Sequence, residues 1–159
     1  ERRTTLQLDM EQVDPVPIIE KLIEEYRLKA DKPVTFHVTG ADKHPTVHAD
    51  AAQLQHVVSN LLDNALKYSG STVDITIGLY DGRITVADNG IGIAKEKQDY
   101  IFDKFYRVPQ GNLHNVKGYG LGLYYVRNIM ERMGGEVSVR STVGKGTEFT
   151  LLFKGNKDE

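Results

Sequence analysis

The chain has 159 residues and no cysteine, and its 20 Lys and Arg against 22 Asp and Glu give a formal net charge of −2. This length is sufficient for one domain with a sizeable core. The charge gives no indication of a nucleic-acid partner. The absence of cysteine excludes disulfides and thiolate metal sites and is compatible with a reducing compartment. No apolar run reaches about 18 residues, so no membrane-spanning helix is predicted.

Hydrophobic patterning predicts short strands and helices through the first part of the chain. Residues 6–13 alternate apolar and polar side chains, which is typical of a half-buried strand. Asp14-Pro-Val-Pro17 then starts a helix that runs to about residue 30, since proline is tolerated in the first turn. The next predicted elements are a strand over 34–38, a loop over 40–45 and a short strand over 46–48.

The second part of the chain contains a strong hairpin signal. Residues 73–79 and 84–88 alternate cleanly on either side of Asp81-Gly82. Because the strands alternate rather than run solidly apolar, we expect a mixed sheet with one face on helices and a more polar opposite face. The remaining predictions are one or two short helices within 95–105, a mobile loop over 109–118, a helix over 118–133, a strand over 137–139, a turn over 144–146, a strand over 147–153 and a frayed tail over 154–159.

A long helix predicted between Asp50 and Gly70 connects these two parts. Asp50 is a candidate N-cap, and Gly70 stands where a left-handed C-cap would fall. At helical spacing, one stripe of this helix is apolar. Its members are Leu54, Val58, Leu61 and Ala65, flanked by Val57, Leu62 and Leu66.

The same helix carries a polar stripe formed by Asn60, Asn64 and Lys67. Asn is a mediocre helix former, so two in register require a reason. One interpretation is an exposed polar face. The other is a ligand site, because carboxamide oxygens can bind a hard cation and an ammonium can meet phosphate.

Two glycine clusters follow. Asp88-Asn-Gly-Ile-Gly92 ends a predicted strand, where it is either an ordinary turn or a place where backbone approaches a flat ligand. Gly118-x-Gly120-x-Gly122 opens a predicted helix, where it is either a flexible joint or a phosphate cradle. The spacing of this second cluster fits neither a Walker A loop nor a dinucleotide fingerprint. The Lys and Arg residues between the two clusters are typical of a solvated face. Phe102, Phe105 and Tyr106 indicate a more ordered segment and are candidate anchors to the core.

Taken together, these motifs resemble the catalytic ATP-binding domain of bacterial sensor histidine kinases, in the GHKL ATPase superfamily. They match its N box, two glycine boxes with the F box between them, and a closing glycine-threonine turn, over about residues 6–153. The resemblance implies a two-layer α/β sandwich of the α+β class. The matching motifs are Asn60-xxx-Asn64-Ala-x-Lys67-Tyr68, Asp88-x-Gly90-x-Gly92, Phe102-xx-Phe105-Tyr106-Arg107, Gly118-x-Gly120-Leu121-Gly122-Leu123 and Gly144-x-Gly146-Thr147-x-Phe149.

The resemblance also implies ATP as the bound nucleotide, held between the N-box helix and a lid over about 93–119. Asp88 is expected to accept a hydrogen bond from the adenine amino group. Gly92 is expected to pack against the ring and Tyr68 to cover it. The implied nucleotide-binding set also contains Gly90, Ile93, Phe105 and Thr147.

For the phosphates, the resemblance implies that Asn64, with Asn60, holds Mg²⁺. Lys67 is expected to meet phosphate, and Arg107 to reach the terminal phosphates when the lid closes, so that Asn60, Lys67 and Arg107 form the catalytic set. Tyr119 occupies a position where a small or hydroxyl residue is frequent in the family, and its role stays open. The backbone amides implied to cradle the phosphates belong to Gly118, Tyr119, Gly120, Leu121, Gly122 and Leu123.

None of the five histidines stands in the context of the family's phosphoacceptor. We therefore expect the catalytic half alone, with residues 1–5 as the stub of a connection to an absent dimerisation and phosphoacceptor domain. The implied further partner is a response regulator. The isolated domain is expected to be a monomer and the parent protein a homodimer. The domain is expected to be cytoplasmic, as the cytoplasmic part of a membrane-anchored sensor. The alternatives are a GHKL serine kinase or ATPase, and a degenerate nucleotide-responsive binding module.

Overall fold

A computed structural model describes residues 7–104 and 122–155. Within these ranges the chain forms seven strands, three helices and two short 3-10 helices over Ala41–Lys43 and Lys95–Lys97. The bounds are Met10–Val13 (β1), Pro15–Lys29 (α1), Val34–Thr39 (β2), Val47–Asp50 (β3), Ala51–Lys67 (α2), Val73–Tyr80 (β4), Arg83–Asp88 (β5), Gly122–Arg132 (α3), Glu136–Thr142 (β6) and Gly146–Leu152 (β7).

The main sheet has five strands in the spatial order β2-β4-β5-β7-β6, and β1 pairs with β3 in a separate two-stranded sheet. β2 and β4 are parallel, whereas the other neighbours in the main sheet are antiparallel. The predicted hairpin is confirmed: Asp81-Gly82 joins β4 to β5, Tyr80 pairs with Arg83, and Gly82 has a φ of 72°. The α+β class and the two-layer arrangement predicted from sequence are also confirmed.

The two faces of the main sheet differ in chemistry, as the alternation predicts. Toward the helices, β4, β5 and β7 present fully buried apolar side chains that include Ile75, Ile84 and Leu151. On the opposite face, Thr85 and Thr150 are partly exposed and Ser138 is exposed. No helix within the described ranges is long and apolar enough to cross a bilayer. The buried face of α2 consists of Leu54, Val57, Val58, Leu61, Leu62 and Ala65.

The two ends of α2 are held in different ways. At the N-terminus the predicted cap is confirmed, since the Asp50 side chain accepts a hydrogen bond from Gln53 N at 3.0 Å. At the C-terminus the prediction of a left-handed Gly70 cap is wrong: the helix ends at Lys67, and Gly70 is not among the described glycines with positive φ. Side chains cap this end instead: Ser69 Oγ and Lys32 Nζ both donate to Leu66 O, at 2.9 and 3.2 Å.

Several predicted boundaries differ from the observed ones. β1 begins only at Met10, because residues 7–9 are not paired in the sheet. β7 ends at Leu152, one residue before Phe153, whose N–H instead donates to Gly82 O at 2.8 Å. Lys154, predicted to be frayed, lies 3.5 Å from the Glu136 carboxylate. Three predictions lie wholly or largely outside the described residues: the stub over 1–5, most of the lid over about 93–119, and the end of the tail after residue 155.

Candidate functional site

Asp88 ends the central strand of the main sheet. It pairs with Thr147 across β7 and with Ile75 across β4, and its Oδ1 accepts a hydrogen bond from Gly90 N at 2.8 Å. Burial raises the pKa of Asp88, and hydrogen bonds from the backbone N–H groups of Gly90 and Thr147 lower it by less. The carboxyl group is therefore partly desolvated and retains acceptor capacity.

The loop after Asp88 is pressed against backbone on two sides. A Cβ on Gly90 would lie 2.5 Å from Tyr68 O, and a Cβ on Gly92, whose φ is +80°, would lie 2.2 Å from Thr142 O. Ile91 N also donates to Tyr68 O at 3.0 Å. These glycines are required by close approach to the end of α2 and to the end of β6. Their approach to a ligand stays a prediction.

A pocket opens beside Asp88, between α2, β5, β7 and the start of α3. Its wall combines a carboxylate, a carboxamide and hydroxyl groups with branched apolar side chains, which is the usual composition of a small-molecule site. All of its members except Ile91 belong to the set predicted from sequence. The lining residues are Asn64, Tyr68, Asp88, Ile91, Gly92, Ile93, Leu123 and Thr147.

The polar stripe of α2 continues from this pocket along the helix. Asn60 lies one turn before Asn64, and its Nδ2 donates to His56 O at 2.9 Å. Its Oδ1 lies 3.4 Å from where a Cβ on Gly122 would stand, so it faces the start of α3. Lys67 is exposed at the last residue of α2. The other predicted site residues lie outside the described ranges: Phe105, Arg107, Gly118, Tyr119, Gly120 and Leu121.

Residues 49–157 match the family described as histidine kinase-, DNA gyrase B- and HSP90-like ATPase. The chain belongs to this ATPase family. It is 36% identical over 153 residues to the sensor protein RprX of Bacteroides fragilis, which aligns with 91% of this chain and 29% of RprX. It is 31% identical over 161 residues to the sensor histidine kinase WalK of Bacillus subtilis, covering 96% of this chain and 26% of WalK.

Two solved structures share the fold of this chain. Full-length ShkA in complex with AMPPNP superposes with a TM-score of 0.72 at 29% identity, covering 93% of this chain and 31% of ShkA. The mycobacterial sensor histidine kinase MprB gives a TM-score of 0.72 at 25% identity, covering 90% of this chain and 97% of that structure. The chain spans under a third of the curated relatives named above, 29% of RprX and 26% of WalK.

The described residues fit an adenine nucleotide accompanied by a divalent cation. The Asp88 carboxyl is a hydrogen-bond acceptor at the wall of a pocket whose other side chains are partly apolar, as a flat base with an amino group requires. No group of three or more His, Asp or Glu side chains within 7–104 and 122–155 could hold a metal ion. A divalent ion here would therefore depend on the carboxamide oxygens of Asn60 and Asn64 and on phosphate oxygens.

Ser141 supports the site and was not predicted from sequence. Its Oγ accepts a hydrogen bond from Ile93 N at 2.8 Å and donates one to Gly146 O at 2.8 Å. It also lies 2.8 Å from Thr147 Oγ1. Gln98 adds to this group, since its Nε2 donates to Ile93 O at 2.8 Å and to Ser141 O at 3.1 Å. The only signal that could have found Ser141 is its register opposite Thr147, which alternation alone does not provide.

The start of the predicted lid is attached to the core. Phe102, predicted as an anchor, is 8% exposed and packs edge-on against Phe149 with ring centroids 6.1 Å apart. Asp103 lies 4.0 Å from Arg127 of α3. The residues that lead into the predicted lid are thus fixed to the core by the aromatic contact of Phe102.

Proposed function

We propose that this chain binds Mg·ATP and transfers the γ-phosphate to a histidine on a separate helical domain, as the catalytic part of a two-component sensor kinase. The observation that carries the proposal is the Asp88 pocket, which joins the end of the central strand to the N-box helix. Membership in the ATPase family supports it. The sensor histidine kinases among its relatives favour transfer to histidine over the other chemistries of the family.

On the base side, Asp88 accepts a hydrogen bond from the adenine amino group, and Gly92 and Ile93 lie against the ring. Tyr68, from the C-terminal end of α2, covers the base. Gly90 and Thr147 orient the Asp88 carboxylate through their backbone N–H groups. A partly buried acceptor of this kind selects bases that carry an amino group, because a base without a donor would leave it unpaired.

On the phosphate side, Asn60 and Asn64 hold the cation, and Lys67 and Arg107 contact phosphate. Mg²⁺ supplies neutralisation of the charge on the phosphate oxygens. The amides of residues 118–123 complete the cradle at the start of α3. Positioning and charge neutralisation account for most catalysis of phosphoryl transfer, so no strong base is required of this chain. An amide at Asn60 cannot take a proton from water, which favours transfer over hydrolysis.

For the parent protein, we assign residues 6–153 to the catalytic domain and residues 1–5 to the connection with a dimerisation and phosphoacceptor domain. The much greater length of the curated relatives supports such a domain. The parent is then a homodimer whose phosphohistidine passes its phosphoryl group to a response regulator, and the isolated domain is a monomer. Because ATP is the substrate, this domain works on the cytoplasmic side.

The proposal is tested by calorimetric titration of ADP and a non-hydrolysable ATP analogue, with and without Mg²⁺. Binding of both nucleotides with a magnesium-dependent gain is expected, and no binding at millimolar nucleotide would contradict the site. Transfer is tested by mixing the chain with a histidine-bearing helical domain of a relative and labelled ATP. An acid-labile phosphoprotein is expected, whereas an acid-stable one would indicate a serine kinase and free phosphate alone an ATPase.

A further inference from the structure

Lys32, in the loop between α1 and β2, makes three hydrogen bonds to the C-terminal end of α2. Its Nζ donates to Leu66 O at 3.2 Å, to Ser69 Oγ at 3.1 Å and to Gly70 O at 3.2 Å. An ammonium group has three N–H donors, so its donor capacity is fully used by this one turn of chain. Lys32 is partly buried, and its contacts span the residues that end the helix.

The position of Lys32 is itself determined by the main sheet. Its neighbour Pro33 accepts a hydrogen bond from Val73 N at 3.0 Å, next to the first parallel pair between β2 and β4, Val34 with Val73. The loop before β2 therefore runs beside the segment that connects α2 to β4. A residue that precedes proline is also restricted to extended conformations, which limits the directions the Lys32 side chain can take.

Lys67, Tyr68 and Ser69 lie between the two carbonyl groups that Lys32 contacts, those of Leu66 and Gly70. Tyr68 lines the pocket, and its carbonyl accepts Ile91 N at 3.0 Å. Tyr68 is therefore held from two directions, by the loop after Asp88 on one side and by the Lys32 contacts to Leu66 and Gly70 on the other. No Gly70 cap in the left-handed conformation supports this end of the helix.

We propose that Lys32 is a positioning residue for the nucleotide site, acting through Tyr68. The positive charge complements the C-terminal end of the α2 dipole. It donates to the Gly70 carbonyl and adds a charged partner to the Leu66 carbonyl, which also accepts a hydrogen bond from Ser69 Oγ at 2.9 Å. Without it, the last turn of α2 would fray and Tyr68 would populate several orientations, at a cost to binding. The consequence for affinity rests on the function proposed above, whereas the consequence for Tyr68 does not.

The test compares the two ends of α2. Lys32→Met removes the cap beside the pocket and keeps the aliphatic stem, whereas Asp50→Ala removes the N-cap at the far end of the same 17-residue helix, about 25 Å away. Lys32→Arg restores the charge and donors. Lys32→Gln, which keeps a donor, replaces Lys32→Met if that variant does not fold. Each protein is labelled with 3-fluorotyrosine, and Tyr68→Phe identifies the Tyr68 fluorine signal.

We expect Lys32→Met to shift or broaden the Tyr68 signal in the free protein and to weaken ADP binding by about three- to tenfold. Lys32→Arg should return both quantities toward wild type, and Asp50→Ala should lower the melting temperature while leaving both unchanged. An unchanged Tyr68 signal in Lys32→Met, or an equal change in Asp50→Ala, would overturn the proposal. If wild type itself binds no ADP, the proposed function fails, and the Tyr68 signal still decides the role of Lys32.

Discussion

The two sides of the proposed nucleotide site are built from different kinds of contact. The base side, Asp88–Ile93 with Thr147, is held by backbone hydrogen bonds and by the Ser141 hydroxyl. The phosphate side, Asn60, Asn64 and Lys67, consists of side chains on one surface of α2, of which the last is exposed. The base side is thus ordered by the fold of the sheet, whereas the phosphate side consists of polar side chains presented by one helix.

This difference predicts two kinds of mutational effect. A change on the base side should act on binding of every adenine nucleotide, with or without metal. A change on the phosphate side should act on the magnesium-dependent part of affinity and on transfer, where charge is redistributed in the transition state. The two sides can therefore be separated by titrating each variant with ADP in the presence and absence of Mg²⁺.

The largest expected effect is that of Asp88→Asn. The substitution preserves the shape of the side chain and an acceptor for Gly90 N, but removes the charge that we propose meets the adenine amino group. Because a hydrogen bond to a charged group contributes about 1.5–3 kcal/mol, the affinity for ADP should fall roughly ten- to a hundredfold. Calorimetry checks this in both the presence and the absence of Mg²⁺, and the factor should be the same in both.

The free Asp88→Asn protein should melt no lower than wild type. Burial raises the pKa of Asp88, so the ionised carboxylate is disfavoured in the folded protein near neutral pH and its removal relieves that penalty. Thermal unfolding without nucleotide is the measurement. A large fall in melting temperature together with lost binding would assign Asp88 to structure rather than to recognition.

The second effect should be that of Asn64→Ala on the phosphate side. Loss of the carboxamide oxygen removes a ligand for the cation, so the gain in affinity on adding Mg²⁺ should shrink by about tenfold. Affinity without metal should change little. Ser59→Ala is a control on the same helix, because Ser59 contacts the Tyr26 hydroxyl at 2.7 Å on a different face. An equal loss with and without Mg²⁺ in Asn64→Ala would instead place this side chain on the base.

A smaller effect is expected for Ser141→Ala. Ser141 supports two residues of the base side, Ile93 and Thr147. The change removes an acceptor for Ile93 N and a partner of Thr147 Oγ1, so stability should fall by about 1–2 kcal/mol and ADP affinity by a few-fold. Ser138→Ala is a matched control, since Ser138 lies on the same strand but is exposed on the opposite face of the sheet. Denaturant unfolding and calorimetry of both variants measure the difference.

Most of the fold follows from local patterns, because periodicity reports which side of an element is buried. The stripe of α2, the Asp50 cap and the Asp81-Gly82 hairpin are all readable in this way. The end of α2 is readable only in part, since one of its two side-chain caps is Lys32, 34 residues before Leu66, and no local rule connects these two residues. Ser141 is hidden for the same reason: the pairing of β6 with β7 brings Thr147 to it, and the loop after β5 brings Ile93 to it.

The smallest expected effect is a pH dependence that belongs to Asp88 alone. Its folded pKa lies above its unfolded value, so the folded state binds more protons between the two, and the contribution of Asp88 to stability falls as pH rises through that window. On lowering the pH from about 7 to about 4, the difference in melting temperature between free wild type and Asp88→Asn should therefore shrink.

Over the same interval the affinity advantage of wild type for ADP should also decline, because protonation removes the charge that we propose meets the adenine amino group. Comparing the two proteins at each pH cancels the titration of the nucleotide phosphates and of Asp50, whose pKa is lowered. A constant affinity ratio across this interval would mean that the charge of Asp88 contributes nothing to binding.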